Sequence, residues 1–204
     1  MENTCKIMPK IALDNSDVFI ENQHNNDLIN QCLDLFCHIN ELGKQDIVVM
    51  GSAAASYMQY LAITKNSDVD VHVLNKRNMF LHKSRNIDIL VGSLLPVDYI
   101  DRLQEKDGYL FISDVDFLIH TTCAVLYRIL YNRKRKESHL IYSKLMIKEL
   151  NLSKDEFKKL IKKSIGLTTI ADEKKQNLLN NLYLLDELYA DVFEEENTEQ
   201  SEQN

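Results

Sequence analysis

The stretch "GSAAASYMQYLAITKNSDVDVHVL", residues 51–74, is the part of the chain from which the rest is read. Only five glycines occur in 204 residues, yet Gly51-Ser52 follows directly on the apolar run "DIVVM", 46–50. A glycine between a strand and a helix lets a phosphate approach the backbone closely, and free N–H groups at a helix start favour the anion. Ser52 adds a hydroxyl donor, and Ala53 to Ala55 keep the first turn slim. "SDVDVHVL", 67–74, then alternates with the period of a strand. Asp68 and Asp70 fall on one face, with His72 after them, while Val69, Val71 and Val73 turn to the other.

Two carboxylates side by side on a sheet repel each other unless a cation stands between them. Mg²⁺ (or Mn²⁺) answers this economically, because it takes hard oxygen ligands and is held by one or two carboxylates together with substrate phosphates. A third carboxylate, Asp88, sits in the strand-like "IDILVG", 87–92. With 67–74 and 87–92 as adjacent strands, three carboxylates can hold two metal ions that activate an attacking hydroxyl and steady a leaving phosphate. His72 shares their face, as a phosphate contact or simply as the end of the strand.

The order strand, Gly-Ser, helix, Asp-x-Asp strand and third Asp resembles the polymerase-β-like nucleotidyltransferase superfamily, over roughly residues 28–131. It looks most like the small bacterial minimal and abortive-infection-type members, some of which act as toxins. "ISDVDFLIHTTCAVLYRILYNRKRK" is similar in outline to the helix and basic stretch that follow their core. The interval from Ser52 to Asp68 is longer than in the tightest members, and His120 and His139 stand near where a lysine is usual. The resemblance implies that Asp68 and Asp70 bind Mg²⁺ and the triphosphate and that Asp88 deprotonates an acceptor hydroxyl. It gives the β- and γ-phosphates of the NTP to Gly51 and Ser52.

The surrounding pattern predicts an α+β fold: a small mixed sheet with flanking helices, followed by a C-terminal helical half. Residues 1–25 read as an irregular arm with a short strand at "DVFIE". The core spans 26–112, a helical region 113–193, and a disordered acidic tail 194–204. Apolar positions Leu28, Ile29, Cys32, Leu33, Leu35, Phe36, Ile39 and Leu42 give a helix from Asn26, with Gly43 as its C-terminal cap. "NKRNMFLHKSRN" is a polar connection. "PVDYIDRLQEK" from Pro96 reads as a helix, Asp107-Gly108 as a turn and "YLFI" as a short strand. Capping boxes at Ser113–Asp116 and Ser153–Glu156 open helices to about Tyr131 and Gly166, and an amphipathic helix covers roughly 172–192.

The net charge of −7 argues against a dedicated nucleic-acid binder but conceals two blocks. Residues 128–163 are net +8 and residues 172–204 net −8, the pattern of a basic face beside an acidic one. Arg133 and Lys134, in the run "RKRK", are candidates to receive phosphate from NTP or RNA, against the alternative of a solvated helix end. Lys158, Lys159, Lys162 and Lys163 repeat on one side, as a solvated face or a binding groove. Tyr127 and Tyr131 are core aromatics or a base-stacking pair, and Asp114 and Asp116 complement a helix dipole. The four cysteines are scattered and read as free thiols. No apolar run spans a bilayer and no secretory leader opens the chain, so a cytoplasmic protein without a membrane partner is expected.

The leading expectation is Mg²⁺-dependent transfer of a nucleoside monophosphate from an NTP to a hydroxyl of RNA (tRNA in particular) or of a protein. One alternative is a catalytically silent fold of the same kind, used as a binding or regulatory module with a protein partner. Another is a small-molecule, antibiotic-modifying transferase, against which the +8 segment speaks.

Overall fold

The computed structural model describes residues 22–57, 68–74, 81–82, 87–90, 94–133 and 137–193, with side chains from residue 26. The N-terminal arm before residue 22, most of the polar connection, Lys134 and the acidic tail lie outside the described residues. The fold is α+β, with a small mixed sheet and flanking helices followed by a helical half. Two compact units can be distinguished, one within residues 1–90 and 104–112 and one within 91–103 and 113–204.

The first unit opens with α1 (Asn22–Ile39), which starts before the Asn26 expected from spacing. Ile29, Leu33, Phe36 and Cys37 form its buried stripe, while Leu28, Leu35 and Ile39 are exposed although the periodicity counted them as apolar positions. Gly43 is not its cap. The helix closes at Glu41, with φ 53°, through Leu42 N–H to Cys37 O (2.9 Å) and Glu41 N–H to His38 O (3.4 Å). That is a Schellman motif with glutamate in the left-handed position. Gly43, at φ −75°, instead precedes a 3₁₀ turn over Lys44–Asp46.

Five strands follow: β1 (Ile47–Met50), β2 (Val69–Val73), β3 (Ile87–Ile89), β4 (Gln104–Lys106) and β5 (Tyr109–Phe111). Their order in the sheet is β3-β2-β1-β5-β4. β1 runs antiparallel to β2 and parallel to β5; β2 and β3 are parallel, and β4 and β5 form an antiparallel hairpin. Between β1 and β2 the chain forms α2 (Gly51–Tyr57), packed on both strands. Residues 58–67 lie outside the described residues.

The segment from Pro96 is not one helix. Pro96 leads into a 3₁₀ turn over Val97–Arg102, and "QEK" is then drawn into the sheet as β4. Asp107 and Gly108 have φ of 54° and 83°, the two left-handed residues that a tight hairpin needs for its twist to match the strands.

In the second unit α3 (Asp114–Leu130) is the central helix, buried from Asp116 to Leu126 apart from His120, which keeps some surface. α4 (Glu137–Glu149), α5 (Lys154–Gly166) and α6 (Asp172–Asn180) surround it; α3 packs on all three. The box at Ser153 is complete, with Ser153 Oγ accepting from Glu156 N–H and the Glu156 carboxylate from Ser153 N–H, and at Ser113 the N-cap bond forms, Oγ accepting from Asp116 N–H. The final helix breaks: α6 stops at Asn180, and α7 (Leu184–Leu188) begins after a turn. Asn181 Nδ2 reaches back to Asn177 O (2.8 Å) and Oδ1 (3.0 Å), a side-chain competitor for the backbone where a continuous helix was expected. α3 and α4 end as α1 does, with Asn132 (φ 49°) and Asn151 (φ 48°) in the left-handed position.

The charge blocks meet one another within this unit. Asp186 of α7 takes Lys154 (2.9 Å) and Lys158 (2.8 Å), and Asp191 takes Lys144 (2.7 Å). Lys158 is therefore half-buried against an acid, apart from the exposed Lys159, Lys162 and Lys163 with which it was grouped.

Candidate functional site

The sheet register assembles the acidic face. Met50 stands opposite Asp70, and Asp70 opposite Asp88. Residues paired across a ladder point to the same side, so Asp70 and Asp88 are lateral neighbours, with Val48, His72 and Leu110 on the same face of the sheet. Val69, Val71 and Val73 are buried on the opposite face. That division is what permits carboxylates here, since one side of β2 supplies core and the other stays half-exposed. Asp68 immediately precedes β2 and is exposed.

Gly51 follows Met50 in this row and turns the chain from β1 into α2 with φ +59°. What approaches its Cα is the Asp70 carboxylate: a Cβ on residue 51 would lie 2.9 Å from Asp70 Cγ and 3.2 Å from its Cβ. A side chain at 51 is therefore excluded twice, by backbone conformation and by occupied space. Ser52 is half-exposed in the first turn. Ala53, Ala54 and Ala55 are completely buried, so their small size serves the packing of α2 on the sheet.

Register thus brings Gly51, Asp70 and Asp88 together and puts Asp68 two residues up the same strand line. Arg133 belongs to the second unit, where its guanidinium lies 5.6 Å from the Tyr127 ring centre. Asp70 and Asp88 offer the hard oxygen pair that Mg²⁺ or Mn²⁺ prefers, and Asp68 is the remaining candidate ligand. As arranged, no three His, Cys, Asp or Glu side chains among the described residues stand close enough together to hold a metal ion.

Sequence reasoning missed one polar cluster and gave Asp116, the centre of another, only a role at the start of its helix. In the first unit Tyr57, at the end of α2, hydrogen-bonds Asp107 and accepts from Asn30 Nδ2 (3.1 Å). Lys106 Nζ sits 4.8 Å from its ring centre, and burial pushes the phenol up to about 12. In the second unit Asp116 is fully buried, and its carboxylate is gripped by Arg102 through Nη2 (2.7 Å) and Nε (3.1 Å). Ser113 Oγ adds a third bond at 2.5 Å. Asp98 holds the outer edge of the same guanidinium at 3.0 Å, which pulls its own carboxyl below the usual range. The signal was present in "SDVDF", where the second acid sits at the third helical position directly before a run of apolar residues.

Of the four cysteines, Cys37 and Cys123 are buried free thiols, pushed up to about 11 and about 12 by desolvation, and Cys32 is a half-buried free thiol. Among the described residues no helix is long and apolar enough to cross a membrane. No family model matches the chain, and no curated protein or solved structure is significantly similar to it.

Proposed function

We propose that the chain is a metal-dependent nucleotidyltransferase of the polymerase-β-like kind, moving a nucleoside monophosphate from an NTP to a hydroxyl of an RNA or protein acceptor. The observation that carries this is the row Gly51–Asp70–Asp88, a glycine turn and two carboxylates brought side by side from three separate segments. Asp68, Asp70 and Asp88 would hold Mg²⁺ or Mn²⁺, which when bound would neutralise the triphosphate and polarise the α-phosphorus. Asp88 takes the proton of the acceptor hydroxyl. The acceptor oxygen then bonds to the α-phosphorus as the α–β anhydride bond breaks, and pyrophosphate leaves. The Gly51-Ser52 turn offers backbone N–H groups and a hydroxyl to the departing phosphates. In the same reading Arg133 and Lys134 attract phosphate from substrate or acceptor.

The test is incubation with Mg²⁺ and each α-labelled NTP in turn, with total RNA or protein extract as acceptor and Asp68→Ala/Asp70→Ala as control. Label on one macromolecule that vanishes in the double variant supports the transferase. Absence of label in every lane, with no thermal shift from NTP and Mg²⁺, overturns it.

A second reading, a silent nucleotidyltransferase fold serving as a binding or regulatory module, has one observation in its favour. The Asp70 carboxylate is set over Gly51, and the carboxylates do not converge as a group of three. NTP binding that needs Gly51 and Asp70 but yields no transfer is the outcome that selects it.

A further inference from the structure

At the C-terminal end of α3, Tyr127 and Tyr131 lie one helical turn apart with ring centres 4.5 Å from each other. Both are half-exposed, although their spacing within an apolar helix reads as core. Exposed Lys174 of α6 reaches across to them: Nζ donates to Tyr127 Oη (3.1 Å) and stands 5.5 and 5.9 Å from the two ring centres. Asn177, one turn further along α6, donates to Tyr131 Oη (3.3 Å). The guanidinium of exposed Arg133 lies 5.6 Å from the Tyr127 ring centre, and in the sequence "RKRK" continues from it.

These contacts distinguish the patch from the carboxylate-paired lysines of this unit. Lys144, Lys154 and Lys158 are each paired with a carboxylate, whereas Lys174 and Arg133 are held against aromatic rings. A cation on a ring face keeps its charge available to a phosphate while steadying the ring as a platform. Paired aromatic faces bordered by cations are the elements with which proteins hold single strands, where each unpaired base offers a π-face and each linkage a charge. A duplex presents its charge but not its base faces.

We infer that Tyr127, Tyr131, Arg133 and Lys174 form a contact site for a single-stranded nucleic acid, in which a base stacks on the tyrosine pair and the adjoining phosphates meet the two cations. The site lies in the helical unit and holds whether or not the chain transfers nucleotides.

The experiment is fluorescence anisotropy of the full chain with end-labelled 12-nucleotide single strands of RNA and of DNA, a duplex of the same length, and labelled mononucleotide. The variants are Tyr127→Leu, Tyr131→Leu and Lys174→Glu, with Lys162→Glu as a charge-matched control on α5; thermal melts verify that each folds. Single strands are expected to bind more tightly than the duplex, with affinity falling as salt rises. Each tyrosine variant weakens binding by roughly 5-fold or more, within what loss of a stacked base produces. Lys174→Glu also weakens it, and Lys162→Glu leaves it within about twofold. Three results each overturn the inference: no binding at low salt, equal binding of duplex and single strand with no response to either tyrosine variant, or binding of the mononucleotide as tight as that of the strands. A preference for RNA or for DNA identifies which strand is held.

Discussion

The Asp70 carboxylate occupies the space that a Cβ on Gly51 would require, so a residue in β2 dictates the identity of a residue at the end of β1. Gly51→Ala places a side chain at φ +59° and drives it against Asp70. The left-handed conformation alone costs about 1–2 kcal/mol; with the displaced carboxylate, a loss on the order of 2–4 kcal/mol is expected in urea unfolding. In an Asp70→Ala background the same substitution is expected to cost at least about 1 kcal/mol less, because the obstructing group is gone. Additive costs in the double variant would show that the two residues do not share this space.

Mg²⁺ supplies the second test. If Asp70 and Asp88 hold it, 10 mM Mg²⁺ against a millimolar-range Kd stabilises the fold by about 1.4 kcal/mol. That corresponds to a few degrees in Tm for a chain of this size. The shift is expected to vanish in Asp88→Asn and in Asp70→Ala, and EDTA removes it from the parent chain. A shift that survives both substitutions places the metal elsewhere.

Arg102 and Asp116 make the third. Asp116 has no exposed surface, and the Arg102 guanidinium faces it as its ion-pair partner. Arg102→Met leaves a buried carboxylate without its cation, and roughly 3–5 kcal/mol should be lost. Asp98→Ala removes only the solvent-facing partner and should cost much less. Denaturant curves for the two variants give the comparison directly, and equal losses would assign the stabilisation to the outer pair.

His120 sets a pH dependence. Its Nδ1 is enclosed with no hydrogen-bond partner among the described residues, and desolvation lowers its pKa to about 4, against 6.5 for a free imidazole. Between those values the unfolded chain binds a proton that the folded chain refuses. Stability therefore falls as pH drops from about 6.5 toward 4 and is level above that window. His120→Leu should flatten the decline in Tm between pH 7 and 4.5. An unchanged slope would assign the titration to another group.

Much of this architecture is visible in the letters. The alternation of Val69, Val71 and Val73 against Asp70 and His72 is the pleat itself, and the boxes at Ser113 and Ser153 mark the true starts of α3 and α5. β4 is not visible, because Gln104, Glu105 and Lys106 are all exposed and carry no alternation. They are a strand because the Asp107-Gly108 turn folds them back on β5. Tertiary pairing overrode local preference there. Gly43 misled for a related reason: glycine is the usual left-handed cap, but Glu41 already occupies that position two residues earlier. Of the candidate site, the shared face of Asp70 and Asp88 follows from period and pairing. The intrusion of Asp70 over Gly51 does not, since it depends on a side-chain torsion that no spacing encodes.

Among the described residues the sheet is bordered by β4 on one side and β3 on the other. β4 is three residues long and fully exposed, with two of its side chains charged. Such a border is a poor template for another strand to zip onto, since it is short and charged. At the far border β3 is equally short and carries Asp88 at its centre. Whatever the carboxylate does for chemistry, its position also guards the seam: a strand adding there would have to lie alongside a negative charge. The same three-residue strands that limit the sheet's size keep it from growing into its neighbours.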